Sequence, residues 1–199
     1  MIAVCALVMP VVVQADLMPI HLEFRPIEAS APVDQPVALG LWAYTAPEQT
    51  QLFRALDMVF VWEPEYLRLE ALNSIGAVSL LSSGFPAADG YGLNEIIPPR
   101  DGDGYYKAWA QLGQPLQVTD EGVLLTTFVF RALQPIESTT VTIAPSGGHP
   151  MLETAVWGGS DANTLVTGTL GHTTIQIVPE PRSAVPWLFS GVLALRRRA

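Results

Sequence analysis

Two aspartates one residue apart on a glycine-bearing loop, Asp101-Gly102-Asp103, come nearest to metal chemistry in this chain. Hard oxygen ligands at i and i+2 are the start of a calcium loop. An EF-hand-type loop also needs a bidentate glutamate and further oxygens at set offsets, and Tyr105-Tyr106-Lys107-Ala108-Trp109 supplies none. The competing reading is an Asp-Gly turn. Both stand at this level: calcium on Asp101 and Asp103, or a turn. The three histidines, His21, His149 and His172, have no zinc-ligand spacing between them, and no Gly-x-Ser-x-Gly elbow is present. A carboxylate pair for glycoside hydrolysis depends on a separation in space that sequence does not carry. The expectation is a protein that is not an enzyme.

Aromatic side chains are the other handle. Sugar rings stack their apolar faces on exposed π surfaces, whereas the same residues in a core only pack. Tyr91, Tyr105 and Tyr106 lie in or beside the long Ser82–Gly104 stretch, with Trp109 just after it. These four are the expected contacts for a polysaccharide. Trp62 ends an alternating apolar face and is expected in the core. Trp42 and Tyr44 are either exposed or packed against a second sheet.

The elements that must position these residues read as strands. Period-two alternation marks Ile20–Phe24, Val37–Tyr44, Leu56–Trp62 and Tyr66–Ala71. Ala77–Leu81 is a shorter apolar run, and Tyr105–Leu112 fits a strand or a short helix. Gly122–Phe130 is β-branched and aromatic throughout and predicts a central strand buried on both faces. Thr139–Ile143 and Thr173–Ile177 complete the set, with weaker signals at Ala155–Trp157 and Leu165–Thr167. One helical turn is expected within Gln49–Ala55. Turn signals at Pro47-Glu48, Glu63-Pro64-Glu65, Asp120-Glu121-Gly122, Gly147-Gly148 and Gly158-Gly159 divide these runs. Short strands at such spacing predict an all-β, antiparallel β-sandwich over residues 16–178. The Ser82–Gly104 stretch is too long for a passive connection and is expected to be functional or mobile.

The chain carries 19 acidic against 10 basic residues, a net charge of −9. Arg182, Arg196, Arg197 and Arg198 all follow Pro181, so the stretch before them is more acidic still. Neutralising phosphates needs clustered cations, so nucleic acid is excluded as a partner. The single cysteine, Cys5, falls in the first apolar segment. The body is therefore expected to hold together by burial, with no disulfide.

Both termini point to export. Ile2–Val13 is apolar, and Val13-Gln14-Ala15 offers a small-x-small cleavage site, so residues 1–15 are read as a signal peptide. It departs from the usual pattern in having no Lys or Arg before the apolar core. Translation is expected to start upstream of Met1. At the other end stand Pro179-Glu180-Pro181, an uncharged stretch from Ala184 to Leu195, and Arg196-Arg197-Arg198. As a helix that stretch spans about 18 Å, at about 1.5 Å per residue, against about 30 Å of hydrocarbon. A short apolar helix of this length suits a transient membrane stop better than a permanent span, with the arginines on the cytoplasmic side.

This ordered set over 179–199 resembles the PEP-CTERM sorting signal of exported bacterial proteins. The resemblance implies processing by an exosortase-type membrane enzyme near Pro179, Glu180 and Pro181. It also implies transient residence in the inner membrane, then delivery to the cell surface or an extracellular polysaccharide matrix. The body carries a second resemblance, at the level of pattern, over roughly Val33–Ile143. Leu56–Leu67, in which a strand ends in an aromatic, an acidic residue and proline, is similar to the early strands of cohesin-like and carbohydrate-binding sandwiches. Gly122–Ala132 followed by Thr139–Ile143 is similar to their C-terminal strand pair. It implies a jelly-roll with a structural or adhesion role, the alternative being a carbohydrate-binding module of the matrix. Fold alone carries neither function.

Overall fold

The computed structural model describes residues 17–86, 93–111, 114–147, 152–160 and 164–180. The expected signal peptide, Cys5, Tyr91, His149, Pro181 and the segment through Arg196, Arg197 and Arg198 lie outside the described residues. Every regular element described is a strand. In chain order these are β1 (Ile20–Arg25), β2 (Glu28–Pro32), β3 (Pro36–Tyr44), β4 (Thr50–Trp62), β5 (Leu67–Asn73), β6 (Leu81–Gly84) and β7 (Asp103–Trp109). They continue with β8 (Leu116–Thr119), β9 (Val123–Ala132), β10 (Ile136–Ala144), β11 (Ala155–Gly158), β12 (Thr164–Leu165), β13 (Thr167–Leu170) and β14 (His172–Val178). Among the described residues no helix is long and apolar enough to cross a membrane.

Two sheets face each other. One has the order β13-β1-β3-β9-β5. The other runs β12-β11-β4-β10-β14-β2, with β7 and β8 also on β4 and β6 on β7. Alternation predicts the buried faces. Ile20, Leu22 and Phe24 of β1 and Leu39 and Leu41 of β3 meet Met58, Phe60 and Trp62 of β4 and Val141 and Ile143 of β10 in one core. Phe128 of β9 lies at its centre. Its ring stands edge-on to Phe24, Phe60 and Tyr106, with centroids 5.6, 5.0 and 5.5 Å away, and Phe85 packs beside it at 6.2 Å. Trp62 belongs here too, stacked on Phe60 and donating its indole N–H to the Leu67 carbonyl at 3.0 Å. A buried tryptophan needs such a partner, because its unpaired N–H would otherwise forfeit hydration.

The pairing is not wholly antiparallel. β1 runs parallel to β13, and β2 parallel to β14. The cause is that both end segments of the described chain change sheets. The first bends at Pro26-Ile27, between β1 and β2, and the last bends at Gly171, between β13 and β14. A strand that bends across the gap joins two packed sheets at a corner. Thr173 Oγ1 pins this corner by donating to the Pro26 carbonyl at 2.6 Å. Gly171 is needed at the other bend, where a Cβ would lie 2.9 Å from Cβ of Glu23.

Three expectations are corrected. Gln49–Ala55 is not helical, since β4 begins at Thr50. Phe53 and Leu56 both face the core, and the register slips between Trp157/Gly158 and β4 because Arg54 and Ala55 form a bulge there. One extra residue turns a period of two into a spacing of three, which imitates a helix. β9 is central, between β3 and β5, but its burial alternates, so only one face is covered. Ala77–Leu81 is mostly irregular, and β6 starts only at Leu81. Tyr105–Leu112 resolves as strand through Trp109. The segments β2 and β8 were not anticipated; neither carries a strong alternating apolar face.

Replacing Phe128 with alanine removes the ring on which four aromatic neighbours converge. The expected cost is about 3–5 kcal/mol, read as a loss of unfolding free energy in urea titrations.

Candidate functional site

β4 organises the outer face of the larger sheet. Because Leu56, Met58, Phe60 and Trp62 point inward, Ala55, Asp57, Val59 and Val61 point outward. Registered pairing then sets rows across the strands. The first row reads Leu165 on β12, Trp157 on β11, Ala55 on β4, Trp109 on β7 and Leu81 on β6. Leu165, Trp109 and Leu81 are 55, 37 and 45 % exposed, and Trp157 is half-buried. In the next row Asp57 stands between Ala155 and Lys107. The Lys107 ammonium lies 3.2 Å from the Asp57 carboxylate. On the other side of the apolar row, Arg54 donates to the carbonyls of Gly159 and Ser160 at 3.0 and 3.1 Å. The row is thus one residue wide and bounded by charge on both sides.

Farther along the same face the sheet is covered. Val59 and Tyr105, a register pair, carry Leu93 and Leu152 on top and form a second, smaller core with Ala144. Asn94 fastens the cover. Its amide donates to the carbonyls of Pro86 and Tyr105 at 2.8 and 2.7 Å and accepts from the Tyr105 N–H at 2.9 Å. Asn94 has a φ of 60°, a left-handed conformation that asparagine tolerates better than most residues. Thr154 fixes the far side, accepting from the Val59 N–H at 3.0 Å.

The expected sugar contacts separate. Tyr106 faces the main core at 2 % exposure, and burial pushes its phenol up in pKa against the opposing hydrogen bonds of Ser82 and Thr126. Tyr105 is sealed under Leu93 at 7 %. Neither ring can offer a face to a sugar, which corrects that expectation. Alternation on β7 is the reason: Tyr106 and Ala108 point in, while Tyr105 points out beneath a loop. Tyr91 lies outside the described residues, and Trp109 is the one of these four that is exposed among the described residues. Trp157, the partner two strands away, is separated from it by a long stretch of chain. Its only sequence signal is the weak strand Ala155–Trp157.

Trp42 and Tyr44 sit on the outer face of the other sheet. The Arg25 guanidinium lies over both rings, 4.7 and 5.8 Å from their centroids, and pairs with Glu23. His21 packs on Tyr44 and bonds Thr169 Oγ1 at 2.8 Å. These groups satisfy one another.

The chain bends at Asp101-Gly102, and Asp103 opens β7. Gly102 has a φ of 107°, and its carbonyl accepts from the Trp62 N–H at 2.8 Å. A Cβ there would lie 2.8 Å from Pro64, so the glycine seats the loop against the end of β4. Among the described residues no three His, Cys, Asp or Glu side chains converge as a metal site. Asp103 Oδ1 is buried with no hydrogen-bond partner among the described residues. Burial, then the charges of Asp101 and Glu95, raise the Asp103 pKa.

No protein-family model matches the chain. No curated protein sequence does either. Solved structures do match. The cohesin module of a family 33 glycoside hydrolase from Clostridium perfringens aligns with a TM-score of 0.54 at 14% identity, over 82% of this chain and 98% of that one. The cohesin of a type I cohesin–dockerin complex from Clostridium thermocellum aligns at 0.53 and 10% identity, over 80% and 99%. A non-cellulosomal cohesin from the archaeon Archaeoglobus fulgidus aligns at 0.51 and 15% identity, over 81% and 91%. At such identities the likeness establishes the fold, a cohesin-like jelly-roll sandwich.

Two predictions follow from the cover and the turn. Asn94→Ala leaves the Tyr105 N–H and carbonyl unpaired, at a cost of about 1–3 kcal/mol for each group. Amide hydrogen exchange should quicken at Tyr105 before it does in the main core. A raised Asp103 pKa means that this residue's contribution to stability is complete below the ordinary aspartate range and is lost as pH rises through the folded-state value. Asp103→Asn should therefore melt above the parent at neutral pH, and the gap should close on acidification.

Proposed function

We propose that the protein is an exported, non-enzymatic module of the cell envelope or extracellular matrix, with a structural or adhesion role. The observation that carries this reading is the junction between body and tail. β14 ends at Val178, Ile177 is the last core residue, and Pro179 and Glu180 follow it exposed. Proline has no amide N–H to extend the ladder, so regular pairing stops where the Pro-Glu-Pro motif begins. An exposed segment immediately after the folded unit suits a processing enzyme that cuts near Pro179, Glu180 and Pro181 without unfolding the cargo.

The apolar stretch Ala184–Leu195 and Arg196, Arg197 and Arg198 would hold the chain in the inner membrane until an exosortase-type enzyme releases it. The cohesin-like fold supports the adhesion role. One of its structural neighbours is a cohesin bound to a dockerin, so a sandwich of this shape can act by holding a partner. The acidic body suits solubility outside the cell.

Mass spectrometry of the protein recovered from the cell surface or matrix tests the export reading. The expected product lacks residues 1–15 and ends near Pro179–Pro181. A mature chain that still ends in Ala199 rejects processing. Glu180→Ala together with Pro181→Ala should retain the unprocessed form in the membrane fraction while leaving the melting temperature unchanged.

A further inference from the structure

We propose that the row Leu165, Trp157, Ala55, Trp109 and Leu81 is a binding platform for a neutral polysaccharide strand. The row crosses five strands, which at about 4.8 Å per strand gives a track about 19 Å long. Trp157 and Trp109 are two strands apart, about 10 Å by the same spacing. Ala55 between them keeps the track low, so that a linear ligand can lie across both indoles.

Shape and charge select the ligand class. A stable protein interface takes roughly 20–30 residues a side. This track is a single apolar row bounded by Arg54 on one side and by the Asp57–Lys107 pair on the other, so its apolar part is a small share of such an area and favours a slender ligand. A peptide strand is disfavoured for a different reason. It gains affinity from main-chain bonds to a sheet edge, whereas the two tryptophans stand on β11 and β7, each paired with a neighbouring strand on both sides. Sugars need no such edge. Their C–H faces stack on indole, and their hydroxyls take side-chain partners. Asp57, Lys107 and Gln111 stand beside the track for that purpose. A chain of net charge −9 repels an anionic polymer, which leaves a neutral one.

This deepens the matrix reading above, and the two fail separately, because export and processing do not involve either tryptophan. The test is affinity electrophoresis and tryptophan fluorescence of the full chain against hydroxyethyl cellulose, xylan and galactomannan. Retardation by at least one of these polymers is expected. Trp109→Ala and Trp157→Ala should each weaken binding about three- to tenfold, and the double variant should abolish it. Tyr44→Ala, on the opposite sheet, should bind as the parent does. Trp109→Tyr should retain most of the affinity, which separates loss of the platform from loss of fold. Failure of all three polymers to retard the parent chain overturns the proposal. So does parental binding by a folded double variant, or capture of a protein through these tryptophans in place of sugar.

Discussion

Backbone pairing along Thr50–Trp62 is the constraint on which the rest of the structure depends. This strand bonds to β8 and β7 along one edge and to β11 and β10 along the other. Buried amides must be paired, so four neighbours are drawn into register with one strand. The bulge at Arg54-Ala55 is part of the same arrangement. It turns Phe53 inward and Ala55 outward, and it sends Arg54 to the carbonyls of Gly159 and Ser160. Without the extra residue, the half of the strand before it would present its apolar side to solvent.

The core closes around this strand because the two end segments of the described chain bend between sheets. At Pro26-Ile27 and at Gly171 the chain leaves one sheet and joins the other. The first and last segments therefore lie side by side and parallel in both layers. Each protects an edge that would otherwise be left open to pairing with another chain. Phe128, Phe60 and Trp62 fill the space between the layers. A sandwich held in this way by burial needs no cross-link.

The outer face of the larger sheet divides into a covered part and an open part. Leu93, Leu152 and Asn94 lie over Tyr105 and Val59 and dry that region. The Trp109–Trp157 row lies beyond their reach. An outward apolar row on a sheet is ordinarily a liability, and flanking charges are a usual remedy. Here the Asp57–Lys107 pair and Arg54 confine the row without hiding it.

The sequence by itself determined the sandwich class, most of the strands and the Trp62 core position, because period-two alternation is a local property of consecutive residues. It also determined that β14 stops at Pro179, since proline lacks the donor that a further ladder bond requires. Tertiary structure alone decided which aromatic residues face solvent. Tyr105 and Trp109 share one face of β7, yet Leu93 from the preceding segment and Leu152 from far along the chain bury the first and spare the second. The partnership of Trp109 with Trp157 depends on the register of two strands with β4, and so does the slip at Arg54-Ala55 that imitates a helix. Register is a relation between distant segments, fixed by how their apolar faces meet in the core. No local pattern of residues carries it.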